Sequence, residues 1–195
     1  MLILCLVLHL CGDGYPPYIL NKAAKLDDDD ETIKLKFYSL YDKILNYWFP
    51  PTEGYDVSPK WTIPESGRTK DIHIAFVIEY HQCLLLLVEI KPPLDFQMDL
   101  GHEATINQVI QHLDEIGPIN QHTDRLYAIS AIGKRWRGCY ALKGKGSKGG
   151  QPVKGVAEEN SLRTAKPESW NADVTSNASW VALQSIVEMI KGYVA

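Results

Sequence analysis

Hydrophobic and polar positions alternate in the middle of the chain and predict two adjacent β-strands. Residues 71–79 carry apolar side chains at every second position, namely Ile72, Ile74, Phe76 and Ile78. Residues 83–90 are apolar almost throughout, which is typical of a central strand that is covered on both faces. Pro92 and Pro93 follow directly and end this second strand, because proline cannot donate a ladder hydrogen bond.

Apolar residues recur at helical spacing on both sides of this strand pair. The predicted helices are a short one within residues 15–26, longer ones over residues 31–48 and 103–116, and a closing one over about residues 179–193. The acidic run Asp27–Glu31 lies where it complements the amino-terminal dipole of the second helix. Phe49-Pro50-Pro51 and Gly117-Pro118 end two of these helices.

Further strands are predicted at residues 55–63, 125–132 and 136–142, the last two joined around Gly133-Lys134 as a hairpin. The resulting order, α-β-β-β-α-β-β-α, predicts an α/β (α+β) fold in which helices flank a mixed central sheet. The 195 residues, 45% of them hydrophobic, fit a single domain over residues 1–195 better than two domains.

The amino-terminal segment, residues 1–11, is strongly apolar but too short to span a bilayer. It lacks a basic start and a clear cleavage site, which favours a buried element of the domain over a signal peptide. Four cysteines without a CxxC pair favour a reducing compartment. We therefore expect an intracellular protein with no membrane partner, and a secreted one if residues 1–11 are a signal peptide.

The net charge of −4 argues against a protein held on nucleic acid or membrane by charge over its whole surface. Phosphate contacts must come from local patches, of which the predicted hairpin is one: Lys134, Arg135, Trp136 and Arg137. A Gly/Lys-rich loop over residues 143–155 is another. Basic residues beside an aromatic suit phosphates and stacked bases. A solvated hairpin edge is the alternative interpretation.

The turn between the two central strands decides which of their side chains share a face. A three-residue turn at residues 80–82 sets Glu79 opposite Cys83. Directly opposed residues share a face, and a face repeats every second residue. A turn one residue shorter or longer would put the two sets on opposite faces.

In this register Asp71 faces Lys91 and His73 faces Glu89, so that all four side chains project from one end of the hairpin. Asp71 and Glu89 become diagonal neighbours, about 7–8 Å apart at the backbone. At that separation the two carboxylates can share one cation. The alternative is a salt bridge between Lys91 and either acid, which is an ordinary feature of strand ends.

This set of side chains suits phosphodiester hydrolysis. A hard cation neutralises the phosphate and lowers the pKa of the attacking water. Magnesium, with manganese as the alternative, takes oxygen ligands such as the carboxylates of Asp71 and Glu89, and the Ile90 carbonyl is a further candidate ligand. Lys91 can orient the nucleophile or stabilise charge on the phosphate.

The α-β-β-β-α-β order, with Asp71 opening the second strand and Glu89-x-Lys91 closing the third, resembles the PD-(D/E)XK nuclease superfamily over about residues 31–142. The resemblance implies a restriction-endonuclease-like αβββαβ core with helical additions at both ends. It also implies that Asp71 and Glu89 bind metal and that Lys91 is catalytic. One departure is that Lys70, not proline, precedes Asp71.

In exonuclease-like branches of that superfamily an acid on the first helix and a glutamine on the second assist, and Glu31 and Gln108 are the nearest matches here. The remaining chain resembles fungal proteins of unassigned function. The expected function is a metal-dependent nuclease with nucleic acid, DNA in the first place, as its partner. The alternative is a non-catalytic module that binds nucleic acid or protein and retains the fold.

Overall fold

The structure is a computed structural model, and it describes residues 14–26, 34–63, 72–97, 99–116, 125–142, 151–152, 170 and 173–194. The predictions for residues 1–11, for the acidic run Asp27–Glu31 and for loop residues 143–150 and 153–155 lie outside these ranges.

The helices are α1 (Pro17–Ala24), α2 (Lys34–Trp48), α3 (Leu94–Gln97), α4 (Asp99–Ile116) and α5 (Asn177–Val194), with one 3-10 turn at Pro51–Glu53. The strands are β1 (Tyr55–Ile63), β2 (Ile72–Tyr80), β3 (Cys83–Lys91), β4 (Arg125–Ile132), β5 (Arg135–Leu142) and the two-residue β6 (Gln151–Pro152). The predicted mixed α/β class is confirmed, and the predicted bounds of β1 and β4 coincide with the observed ones.

The six strands form one sheet in the order β1-β2-β3-β4-β5-β6. Neighbouring strands are antiparallel except β3 and β4, which are parallel and are joined through α3 and α4. Pro59 lies in β1, an edge strand, where a missing backbone donor is tolerated. The pair β3–β4 lies in the middle of the six strands, so it is the most enclosed part of the sheet.

Helices cover both faces of the sheet. On one face, α2 and α5 pack against Phe76, Ile78, Leu86, Val88, Ile90, Ile129, Ala131 and Trp136. On the other face, Val109, Leu113 and Ile116 of α4 pack against Val77, Leu87, Leu126, Ala128 and Ile132. We call these the α2–α5 face and the α4 face. None of the helices in the described part of the chain is long and apolar enough to cross a membrane.

The turn between β2 and β3 has two residues, not the three predicted. His81 and Gln82 both have positive φ angles, 48° and 67°, and Tyr80 pairs with Cys83. Two consecutive left-handed residues match the twist of a tight hairpin, which is why two residues suffice. The predicted pairing of Glu79 with Cys83 is therefore wrong.

A β-bulge then offsets the shorter turn. Glu79 pairs with Leu84, but Ile78 pairs with Leu86, so that one residue of β3 is extra at this point. Beyond the bulge, Val77 faces Leu87. Odd-numbered residues of the two strands therefore share a face there, as predicted. The register itself differs by two residues, because the predicted turn would pair Val77 with Leu85.

Two acids lie directly opposite each other on the edge ladder, Asp56 on β1 and Glu79 on β2. Burial raises the pKa of the Glu79 carboxyl above its usual 4.5, and the charge of Asp56 raises it further. A carboxyl whose pKa is higher in the folded state contributes stability that is fully present below pH 4.5. That contribution is lost as the pH rises through the folded-state pKa.

Glu79→Gln is therefore expected to remove part of the fall in unfolding free energy between pH 4.5 and neutral pH. Urea unfolding at a series of pH values measures this fall. Asp56→Asn, which removes the opposing charge but keeps Glu79, should reduce the fall less than Glu79→Gln does. The same pH dependence in wild type and Glu79→Gln would contradict the expectation.

Candidate active site

The ladder between β2 and β3 opens before either strand ends. Its last pair is Phe76 with Val88. Beyond it, β2 stays paired with β1 as far as Ile72, and β3 stays paired with β4 as far as Lys91. The two strands therefore separate into a fork, whose β3 side consists of residues 89–91. We use "the fork" for this opening.

The fork changes the predicted contacts between the strands. The pairing of His73 with Glu89 is wrong, because the described residues form no β2–β3 pair at this level. The backbone of His73 pairs instead with Thr62 of β1, and its side chain lies outside the description. Asp71 also lies outside the described residues, so its place beside Glu89 stays a prediction.

Glu89 and Lys91 lie side by side at the fork. Lys91 Nζ is 3.6 Å from Glu89 Oε1. Because Val88 and Ile90 point to the α2–α5 face, alternation along the strand directs Glu89 and Lys91 to the α4 face. Glu89 is only 4% exposed. A charge so deeply buried needs a paired charge or a metal ion close by.

The backbone of Ile90 is oriented toward the fork. The Lys91 carbonyl accepts a hydrogen bond from the Gly133 N–H at 3.0 Å, on the β4 side of the strand. Successive residues of a strand direct their carbonyls to opposite edges. The Ile90 carbonyl therefore points toward β2, where the ladder has already ended. This is the orientation that its predicted role as a metal ligand requires.

A row of three polar side chains crosses the sheet at the level of Glu89. Glu89 pairs with Ser130 of β4, and Ser130 pairs with Arg137 of β5. The three residues are 4%, 3% and 5% exposed. Adjacent strands lie about 4.8 Å apart, so the backbones of Glu89 and Arg137 are roughly 10 Å apart. We call these three residues the polar row.

Sequence reasoning missed Ser130 altogether and assigned Arg137 to a different surface. The signal for Ser130 was a single serine among the aliphatic and aromatic residues of strand 126–132. Ser130 can be recognised as a site residue only when the register of β3 with β4 is known. A local sequence pattern does not give that register. The faces of β5 could be predicted from the sequence, because alternation along a strand places Arg135 and Arg137 on one face and Trp136 on the other.

Trp136 is a core residue, and the prediction that it contacts nucleic acid is wrong. Its side chain is 0% exposed, and its Nε1 donates a hydrogen bond to Ser179 Oγ of α5 at 3.0 Å. No base can stack on this ring in the folded protein. Arg137 is buried as well, so it is not part of an exposed hairpin edge.

The two remaining basic residues of the hairpin differ in their surroundings. Lys134 Nζ lies 4.0 Å from the Asp173 carboxylate, and only Arg135 is well exposed. The four residues predicted to contact nucleic acid therefore do not form one continuous surface.

The turn between β4 and β5 holds the carboxyl end of β3 in place. Besides the Gly133–Lys91 hydrogen bond, the Tyr41 hydroxyl of α2 donates to the Gly133 carbonyl at 3.1 Å, and the Val174 N–H donates to the Lys134 carbonyl at 2.8 Å. Gly133 has a φ of 59°, and a Cβ there would lie 2.9 Å from Pro93 Cγ. The turn thus fixes the strand end that carries Lys91.

Tyr38 is a further residue near the fork that the sequence did not indicate. Its ring packs edge-to-face against Phe76, which forms the last β2–β3 pair, with centroids 5.7 Å apart. Burial raises the pKa of the Tyr38 phenol, and the negative charge of Glu89 raises it further. Of the predicted assisting residues, Gln108 lies half-buried on α4, and Glu31 is outside the described residues.

The donor atoms at the fork are oxygens, which suits magnesium or manganese better than a softer ion. Glu89 and the Ile90 carbonyl supply two candidate ligands. Within the described ranges, no three His, Cys, Asp or Glu side chains cluster as a metal site. A further acidic ligand would come from a residue outside them, such as Asp71. Comparisons with protein-family models, with curated proteins and with solved structures find no match to this chain.

Proposed function

We propose that the protein is a metal-dependent nuclease of the PD-(D/E)XK type that hydrolyses phosphodiester bonds, DNA being the expected substrate. The observation that supports this most directly is the buried Glu89 beside Lys91 at an opening between two central strands. The element order α2-β1-β2-β3-α4-β4, with Glu-x-Lys at the end of β3, agrees with the restriction-endonuclease-like fold proposed here.

The proposed metal ligands are Asp71, Glu89 and the Ile90 carbonyl, and the ion would be magnesium, or manganese in its place. When bound, the ion supplies a water of lowered pKa and neutralises phosphate charge. Glu89 is held rigidly by its buried strand, so it needs little reorganisation to meet an ion. Lys91, partly exposed, can direct its ammonium group at the phosphate or the attacking water.

The other residues near the site have supporting roles in this proposal. Gln108 on α4, His73 on β2 and Glu31 near the start of α2 remain candidates for assisting the reaction. Tyr38 adds a phenol whose pKa is raised by the charge of Glu89. A residue of this group has a role in the reaction only if its substitution lowers activity by more than the accompanying loss of stability explains.

One observation favours the alternative function, a non-catalytic binding module. Lys91 already lies 3.6 Å from Glu89, and Arg137 lies in the same row. These cations balance the charge of Glu89 without an added ion. A protein that kept the fold for binding alone would have this arrangement and would show no metal-dependent rate.

The decisive experiment measures cleavage of single-stranded DNA, double-stranded DNA and RNA by the full chain. Each substrate is incubated with MgCl2, with MnCl2 and with EDTA. We expect cleavage that requires the metal and stops on chelation. Cleavage that persists in EDTA would contradict the metal mechanism, and the absence of cleavage from every substrate would favour the binding module.

A further inference from the structure

Ser130 is the exception among the buried serine and threonine side chains of the described residues. Ser179 accepts a hydrogen bond from Trp136, and Thr105 donates one to the Gly101 carbonyl at 2.7 Å. The Ser130 hydroxyl, by contrast, makes no hydrogen bond within the described part of the chain. A buried hydroxyl without a partner destabilises the folded state, so its retention calls for an explanation.

The neighbours of Ser130 restrict what could bind there. Glu89 lies on one side and Arg137 on the other, each one strand away. A water molecule would satisfy the hydroxyl, but it would not use the two charged groups on either side of it. A tetrahedral phosphate can meet all three groups, because it accepts hydrogen bonds from a hydroxyl and a guanidinium and shares a cation with a carboxylate.

We infer that Ser130 and Arg137 form the phosphate-binding half of the active site. In this arrangement Glu89 holds the metal ion, and the non-bridging oxygens of the scissile phosphate accept hydrogen bonds from the Ser130 hydroxyl and the Arg137 guanidinium. This inference rests on the proposed nuclease function for the identity of the substrate. The binding of phosphate itself can be tested without cleavage.

The next row of the sheet carries two further cations. Lys91 pairs with Ile132, and Ile132 pairs with Arg135. Lys91 is partly exposed and Arg135 is exposed, so the polar row borders two cations on its solvent side. These two cations add positive charge beside the polar row, which favours the binding of an anion there.

The first test uses inorganic phosphate and the thermal unfolding midpoint, Tm. We expect phosphate with MgCl2 to raise the Tm of the wild type more than NaCl of equal ionic strength does. Ser130→Ala should lose most of this specific rise, although its Tm without phosphate should equal or exceed that of the wild type. The general stabilising effect of phosphate as a solute is the same in both proteins.

Ser179→Ala is the matched control, since it also truncates a buried serine. It removes the acceptor of Trp136 Nε1, so its Tm should fall, yet its response to phosphate should equal that of the wild type. Equal responses of wild type and Ser130→Ala, or a wild type that responds no more to phosphate than to NaCl, would overturn the inference.

The second test uses cleavage kinetics. Ser130→Ala and Arg137→Lys should each lower kcat/KM by roughly 10- to 100-fold, the effect of a lost hydrogen bond to a charged group. The magnesium concentration at half-maximal rate should change less than twofold. If the wild type cleaves DNA and Ser130→Ala cleaves it equally well, the inference fails while the nuclease function stands. If the wild type cleaves no substrate but its Tm rises specifically with phosphate, and Ser130→Ala loses that rise, the phosphate site is supported. The proposed nuclease function would then be rejected.

Discussion

Asp71→Asn and Glu89→Gln are each expected to lower the rate of magnesium-dependent cleavage by on the order of a thousandfold or more, because in the proposed mechanism several kcal/mol of transition-state stabilisation depend on the ion. Two carboxylates directed at one point repel each other, and a cation relieves that repulsion. Removing either charge weakens the ion's site. Both substitutions keep the side-chain volume, so the fold should survive them.

The measurement is cleavage rate against magnesium concentration, with folding checked by circular dichroism. Lys91→Met should lower the maximal rate more than it weakens magnesium binding, because its proposed partners are the phosphate and the water. Glu188→Gln, an exposed acid on α5, is the matched control and should cleave like the wild type. An Asp71→Asn variant that cuts at the full rate would reject the metal site.

Trp136→Ala is expected to lower the free energy of unfolding by about 3–5 kcal/mol, the usual cost of truncating a buried tryptophan. The ring is fully buried, and its hydrogen bond to Ser179 joins β5 to α5. Trp136 also lines an apolar pocket together with Tyr41 and Ile186. Truncation would enlarge this space. The neighbouring side chains are held in place by α2 and α5, so they would not move in to fill it.

Urea unfolding of wild type, Trp136→Ala and Arg135→Ala distinguishes a core role from a surface role. Arg135 precedes Trp136 and is exposed, so its substitution should change the unfolding free energy by less than about 0.5 kcal/mol. Trp136→Phe should cost less than Trp136→Ala. An unchanged stability of Trp136→Ala, combined with a loss of oligonucleotide binding, would restore the surface role that the sequence suggested.

The elements that could be predicted are those with a complete local pattern. Strand β4 has an apolar run and a glycine turn at its end, and its predicted bounds match the structure. Helix α4 begins at Asp99, earlier than the predicted residue 103, because its first turn is mainly polar and gives no apolar period. Its end at Ile116 was marked by Gly117-Pro118.

The features that could not be predicted depend on contacts between distant segments. The bulge after Leu84 lies in the pairing of β2 with β3, and no residue type signals it. Ser130 becomes a site residue only because β4 pairs with β3 in one particular register across α3 and α4. Trp136 was misassigned because its basic neighbours indicated a surface, whereas the alternation of β5 turns its ring inward.

The β2–β3 turn and the β4–β5 turn, both within the described residues, differ in how well they should tolerate an insertion. His81 and Gln82 are both exposed, so an epitope tag inserted between them would extend into solvent. Gly133 and Lys134 have the same loop length but are bound to Lys91, Tyr41 and Val174. An insertion there would displace the end of β3. Tags and immobilisation linkers therefore belong at the first turn, which leaves the proposed site undisturbed.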